Sequence, residues 1–280
     1  MAMSQRALPE SSALARRRVS AEAIAREAAA ILSEHRGRLI EVAWKGAVDL
    51  VTIADRTSEA YVVSALHAAF PDDRIIGEEG GGEGPPDADF VWYVDPLDGT
   101  TNFVHGLPHF AVSLGCAYHG VPLVGVIHAP ALSLPHTPRD PGIAWSAAVG
   151  LGATRNGEPI AVASHTTLRR ALIATGFPYD RPTHASQLGQ RVERALAHCL
   201  DIRRLGSAAL DLAQVADGTF GAYWESRLKP WDLAAGVVIV REAGGRVTDL
   251  QGGDTMLATG DVLATNTHLH SAFLADVLGA

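Results

Sequence analysis

Trp92-Tyr93-Val94-Asp95-Pro96-Leu97-Asp98-Gly99-Thr100-Thr101-Asn102-Phe103 is the stretch on which this chain turns. Phe90 to Val94 is a short β-type run, and it ends at Asp95-Pro96. Gly99 and two hydroxyl residues follow. Proline and glycine force a turn there, so both carboxylates leave the strand pattern and can converge. Carboxylates and a turn carbonyl are the hard oxygen donors that Mg²⁺ prefers. Backbone N–H groups after such a turn can hold a phosphate oxygen, more so where a helix begins. In isolation the same residues also make an ordinary Asx-rich turn, so the rest of the chain decides.

Three other acidic places add weight. Gly77-Glu78-Glu79 follows the apolar pair Ile75-Ile76, which puts acids at a second strand end. Trp231-Asp232 opens an apolar helix after Pro230. Asp49 and Asp55 flank the apolar run between them. Each has a plain structural explanation when taken alone: a solvated acid for Glu78, a helix-dipole acid for Asp232 and a helix cap for Asp55.

The 280 residues are 47% hydrophobic and 19% charged, enough apolar material for a real core and too little charge for a disordered chain. Lys and Arg total 23 against 31 Asp and Glu, a net charge of −8. That excludes a basic grip on a nucleic-acid backbone. No apolar run reaches the ~20 residues of a membrane helix. Cys116 and Cys199 cannot make a disulfide framework and lack zinc spacing, so they read as buried thiols of a reducing cytoplasm. The Arg16-Arg17-Arg18 cluster has no apolar stretch behind it and is not a signal peptide. Residues 1–18 are expected to be a flexible tail.

Beyond the tail the spacing predicts a helix from Ser20 to His35, and another after Asp55 that Pro71 stops. The run from Gly80 to Pro86 reads as a mobile surface loop. Ala111 to Tyr118 and Leu123 to Ile127 read as paired strands around His119-Gly120. Four prolines between His128 and Trp145 predict an irregular excursion or a domain border. Short strands and helices then alternate to the end, which says α/β. Residues 19–150 are expected to form an N-terminal α+β half with most of the metal ligands. Residues 151–280 are expected to form a C-terminal α/β half contributing Asp232 and substrate contacts.

Taken together, Gly77-Glu78-Glu79, the stretch from Trp92 to Phe103 and Trp231-Asp232-Leu233-Ala234-Ala235-Gly236 resemble the three signatures of the inositol monophosphatase family. Asp49-Leu50-Val51-Thr52, Gly206-Ser207-Ala208-Ala209 and Glu242-Ala243-Gly244-Gly245 match in order as well. The resemblance spans about residues 20–275. It implies a layered αβαβα sandwich of the sugar-phosphatase type, two to three Mg²⁺ ions, lithium sensitivity and a homodimer. It implies that Glu78, Asp95 and the Leu97 carbonyl hold a first ion, that Asp95, Asp98 and Asp232 hold a second, and that Glu78 with water holds a third. Thr100, paired with Asp49, would orient the attacking water. The N–H groups of Gly99 and Thr100 would bind phosphate. Asp98, Gly206, Ala208 and Glu225 would meet the alcohol part. Four site acids with all three divalent ions bound leave such a site positive, so the acidic balance does not exclude a phosphate substrate.

The activity so implied is Mg²⁺-dependent hydrolysis of a phosphate monoester, inositol monophosphate before histidinol phosphate, fructose 1,6-bisphosphate or adenosine 3′,5′-bisphosphate. Thr101-Asn102-Phe103 and Glu225 favour the polyol. A covalent aspartyl-phosphate route needs acids two apart, and Asp95 and Asp98 are three apart. A non-catalytic regulatory protein is the distant alternative. The stretch 128–149 departs from the family pattern and puts its local hairpin in doubt. His105 and His109 are four apart, but Gly106 and Pro108 break any helical ligand pair. Arg203-Arg204 reads as a strand-edge surface pair.

Overall fold

The computed structural model describes residues 8–36, 42–44, 50–80, 82–133 and 142–280. Asp49 lies outside them.

Helix α1 runs Ser11–His35 and α2 runs Ile53–Ala69. They pack on each other and on one face of an eight-stranded sheet. That sheet runs in spatial order Glu158–Pro159, Ala153–Arg155, Ile143–Ala148, Val121–Ala129, Ala111–Tyr118, Phe90–Asp98, Arg74–Gly77, Gly82–Glu83. Its other face takes two helices from much later in the chain, α5 (Ala208–Ala216) and α6 (Pro230–Glu242). Behind these lies a five-stranded sheet, in order Asp201–Arg203, Leu172–Thr175, Ala222–Glu225, Val262–Asn266, Gly245–Thr248. Helix α4 (Arg181–His198) and the last turn, Phe273–Leu278, close the far side. The layers are therefore α, β, α, β, α, as expected. The short helix α3 (Thr100–Val104) follows the Asp95–Asp98 turn.

Helix α6 explains why the middle of the sandwich holds. Leu233 to Val240 are all buried, because both sheets press on it. The eight-stranded sheet admits it through glycine. Gly115 and Gly125 sit opposite each other in neighbouring strands. A Cβ on Gly115 would stand 2.5 Å from the Ala234 Cβ, and one on Gly125 2.2 Å from the Ala235 carbonyl oxygen. The missing side chains let the first turns of α6 lie on the sheet. Ser113 donates to the Trp231 carbonyl at 3.2 Å and fixes the height of that contact.

Three expectations change. Helix α1 begins at Ser11, so residues 11–18 are helical rather than tail. The three arginines hold it down. Arg17 makes a two-pronged pair with buried Asp73, at 3.1 and 2.8 Å, and its guanidinium lies 3.5 Å over the Phe90 ring. Arg18 donates to Thr154 at 2.6 Å and Arg16 to the Ala69 carbonyl at 3.1 Å. Second, the doubted hairpin is present: Val121–Ala129 pairs with Ile143–Ala148 from Val124↔Ala148 to Ala129↔Ile143. The prolines at 135, 138 and 141 fall outside the described residues, and Pro122 sits beside a bulge, where a missing N–H costs least. Third, the glycine-rich run contains a two-residue strand, Gly82–Glu83, paired with Ile75 and Ile76.

Buried His270 joins the outer layers. Thr248 spends its hydroxyl proton on the Asp249 carbonyl at 2.8 Å, so it accepts from His270 Nε2 at 2.9 Å. Nδ1 is then bare and accepts from the Thr265 hydroxyl at 2.9 Å. Burial pushes the imidazole pKa down to about 4. The unfolded chain, at about 6.5, takes up a proton that the folded one refuses. This contribution is full above pH 6.5 and is lost as pH falls towards 4, on the order of 3 kcal/mol. In urea titrations between pH 8 and 4, His270→Gln is expected to flatten the acid slope of the midpoint. An unchanged slope would remove His270 from the account.

Candidate active site

The Phe90–Asp98 strand meets its neighbour with Asp95 opposite Ser113 and Asp98 opposite Ala111. One residue too many lies between those pairs, a β-bulge. Residues three apart in a regular strand face opposite sides. The extra residue cancels that alternation and brings both acids to one side. The Asp95 carboxylate takes the Leu97 N–H at 3.0 Å, which closes the turn. Gly99 follows with φ +95, and a Cβ there would stand 2.9 Å from the His109 carbonyl oxygen. Only glycine fits, and α3 starts from it.

Asp98 then leaves its own sheet. Its Oδ2 accepts from the Ser207 hydroxyl at 2.6 Å and the Ala209 N–H at 2.7 Å. It therefore caps the start of α5 and ties Asp98 to Ser207 and Ala209. Asn102 strengthens the joint. Its amide donates to the carbonyls of His109 at 2.7 Å and Leu205 at 2.8 Å. Asp232 stands in the first turn of α6 and accepts from the Lys229 N–H at 2.7 Å. Glu225 ends the Ala222–Glu225 strand, and its Oε2 accepts from the Tyr223 hydroxyl at 2.6 Å.

Electrostatically this is a store of unhappy acids. Burial, then Glu78, Asp98 and Asp232, hold the Asp95 carboxyl well above the usual range. Burial, then Asp98, does the same to Asp232. Burial raises Asp98 against the pull of its Ser207 and Ala209 donors. Burial raises Glu225 to about 7, with Tyr223 and Arg204 opposing. A fold keeps such a cluster only where something positive repays it. Among the described residues no three acids or imidazoles close into a finished cage. Asp95, Asp98 and Asp232 each keep an oxygen on a backbone or hydroxyl donor. The donor set, carboxylates plus the Leu97 carbonyl, is nevertheless all hard oxygen and suits Mg²⁺ rather than a softer metal.

Thr100 brings in a residue that the sequence reading placed elsewhere. Its hydroxyl points to Asp55 Oδ1 at 3.2 Å and to the Leu97 carbonyl at 3.1 Å. Asp55 is not the cap of α2. Thr52 is the cap, and Asp55 completes a capping box by accepting from the Thr52 N–H at 2.8 Å and hydroxyl at 2.5 Å. Helix α2 also carries Ser58, whose hydroxyl donates to the Pro96 carbonyl at 3.1 Å, and Glu59, which accepts from the Glu79 N–H at 2.9 Å. One helix end thus holds both acidic turns. Asp211 was also missed: it is buried beside this cluster with Oδ1 unpartnered, and burial, then Glu225, raises its pKa well above normal. His109 is half-buried with its Nε2 unpartnered, and burial pushes its pKa down to about 4.

Comparison with known proteins decides what these acids belong to. The profile of the inositol monophosphatase family matches residues 14–279. The chain belongs to the inositol monophosphatase family. Phosphate-monoester hydrolysis is the chemistry that comes with this membership, and the family depends on a metal ion, generally Mg²⁺. An inositol-1-monophosphatase of Synechocystis is 42% identical over 238 residues, covering 84% of this chain and 79% of the relative. A protein named Nus factor SuhB of Pseudomonas aeruginosa is 42% identical over 247 residues, 85% of this chain and 86% of its own length. The inositol monophosphatase structure from Anabaena superposes with a TM-score of 0.84 at 37% identity, covering 96% of this chain and 97% of that one. Among the described residues, the bulge and the α5 and α6 starts bring Asp95, Asp98 and Asp232 together, with Glu78 and Glu225 beside them. Both cysteines are free and buried, and no described helix is long and apolar enough to cross a membrane.

Proposed function

We propose that this phosphatase acts on monophosphate esters of a polyol, inositol monophosphate first among them. The observation that carries this is the position of Asp98. Its charge acts on Asp95 and Asp232 on one side, and on the other it is tied to Ser207 and Ala209, near Glu225. Metal acids and a hydroxyl acceptor thus share one buried cluster. Glu78, Asp95, Asp98, Asp232 and the Leu97 carbonyl would hold two to three Mg²⁺ ions. Bound Mg²⁺ would supply the positive charge that these acids and a phosphate dianion both need.

This chain's own residues do the rest. The N–H groups of Gly99 and Thr100 take phosphate oxygens. The Thr100 hydroxyl, with Asp49 as its intended partner and Asp55 behind it, orients the attacking water. Asp98, Gly206, Ala208 and Glu225 meet the alcohol, and Glu225 accepts from its hydroxyls. Residues 19–150 supply most of the metal ligands and residues 151–280 supply Asp232 and the alcohol contacts. The two buried thiols support a cytoplasmic setting. A homodimer and inhibition by lithium complete the reading, and sedimentation and a LiCl titration check them.

A substrate panel with Mg²⁺ tests the central claim. Inositol 1-phosphate is expected to turn over with a higher kcat/KM than histidinol phosphate, fructose 1,6-bisphosphate or adenosine 3′,5′-bisphosphate, and EDTA is expected to stop all turnover. A higher kcat/KM for any of the other three would overturn the inositol monophosphate assignment.

A further inference from the structure

Glu225 is held in a fitted seat. Its strand, Ala222–Glu225, lies parallel to Leu172–Thr175, with Thr175 opposite Trp224. Gly176 therefore comes beside Glu225, at the carboxyl ends of two parallel strands, where such sheets bind ligands. The Thr175 hydroxyl donates to the Trp224 carbonyl at 2.9 Å and fixes this alignment. A Cβ on Gly176 would stand 1.8 Å from Glu225 Oε2, 2.1 Å from Cδ and 2.3 Å from Oε1. The carboxylate occupies the space that a side chain at 176 would take. The Tyr223 hydroxyl holds the same carboxylate at 2.6 Å. Tyr223 is fully buried and Glu225 is 8% exposed, so neither drifts with solvent.

We propose that Gly176 and Tyr223 are positioning residues that set the preference for hydroxylated alcohols by fixing the Glu225 carboxylate. The inference rests on the polyol reading above, in which Glu225 meets a substrate hydroxyl. Gly176 seats the carboxylate by being small, and Tyr223 orients it by donating. Gly176 does not have a positive φ, so alanine there strains no backbone. The three atoms that an alanine methyl would meet first all belong to Glu225. Gly176→Ala therefore acts on one carboxylate and leaves the fold intact.

The test compares inositol 1-phosphate with 4-nitrophenyl phosphate, whose leaving group carries no free hydroxyl. KM and kcat are measured with Mg²⁺ for the wild type, Gly176→Ala, Tyr223→Phe, Glu225→Ala and the double variant Gly176→Ala/Glu225→Ala. Gly176→Ala is expected to raise KM for inositol 1-phosphate about tenfold, the scale of one hydrogen bond to a charged group. Its kcat/KM for 4-nitrophenyl phosphate stays within about twofold, the scatter of a change that touches no shared contact. Tyr223→Phe moves KM the same way. In the Glu225→Ala background, Gly176→Ala adds nothing, because the two act through one group. Equal losses on both substrates, or a Gly176→Ala cost that persists without Glu225, would overturn the positioning role while leaving the polyol reading standing. A Glu225→Ala enzyme with unchanged KM for inositol 1-phosphate would overturn the polyol reading itself, and this inference with it.

Discussion

Asp95→Asn is expected to lose phosphatase activity and, without metal, to resist denaturant better than the wild type. Changing the hydrogen-bond partner of a metal ligand commonly costs 10–100-fold. Removing the charge of the ligand itself should cost at least about 10²-fold in kcat/KM. Stability moves the other way. Asp95 is 2% exposed and sits among Glu78, Asp98 and Asp232. Its folded pKa lies above the unfolded one, so it costs nothing in acid and destabilises as pH rises through the raised value. Asparagine removes that cost and keeps an oxygen for the Leu97 N–H. With chelator present, the urea midpoint of the variant should rise by the equivalent of about 2 kcal/mol at pH 8, and the gain should vanish towards pH 4. Retained activity, or a midpoint below the wild type at pH 8, would contradict the metal-acid assignment.

The second large effect is Gly125→Ala. The new methyl group would lie 2.2 Å from the Ala235 carbonyl oxygen and 2.8 Å from its carbon. Both are backbone atoms in the middle of α6, and no rotamer relieves the contact. The helix has to lift from the eight-stranded sheet while the five-stranded sheet presses from behind. Overpacking of this kind costs about 3 kcal/mol. Because α6 carries Asp232, activity should fall more than stability alone explains, and the Mg²⁺ concentration for half-maximal rate should rise. Chemical denaturation and a Mg²⁺ titration on the same preparation check both parts. A variant with a wild-type midpoint would mean that α6 does not rest on Gly125.

Much of this was legible because the acids stand in local signals. Asp95-Pro96-Leu97-Asp98-Gly99 carries its own turn chemistry, and Pro230-Trp231-Asp232 carries its own helix start. The apolar helix read after Pro230 is α6, Pro230–Glu242. What stayed hidden depends on distant partners. The run of three arginines reads as a polar, frayed end until Asp73, Thr154 and the Ala69 carbonyl are brought against it. Gly176 looks like any loop glycine, since no local pattern reveals that a carboxylate needs its space. Tyr223 was within reach: it stands two before Glu225 on a strand, hence on the same face. The prolines from 130 to 141 masked a hairpin whose paired residues lie on either side of them.

The bond from Ser207 to Asp98 joins residues 109 positions apart in the chain. Contacts of that span form only after the intervening chain has been gathered up, so they come late and slowly. Strands and helices assemble from neighbours, but the acid cluster is finished only when α5 and α6 dock on the far sheet. In refolding, catalytic recovery should therefore trail the return of secondary structure, and enzymatic rate becomes a clock for the last docking step.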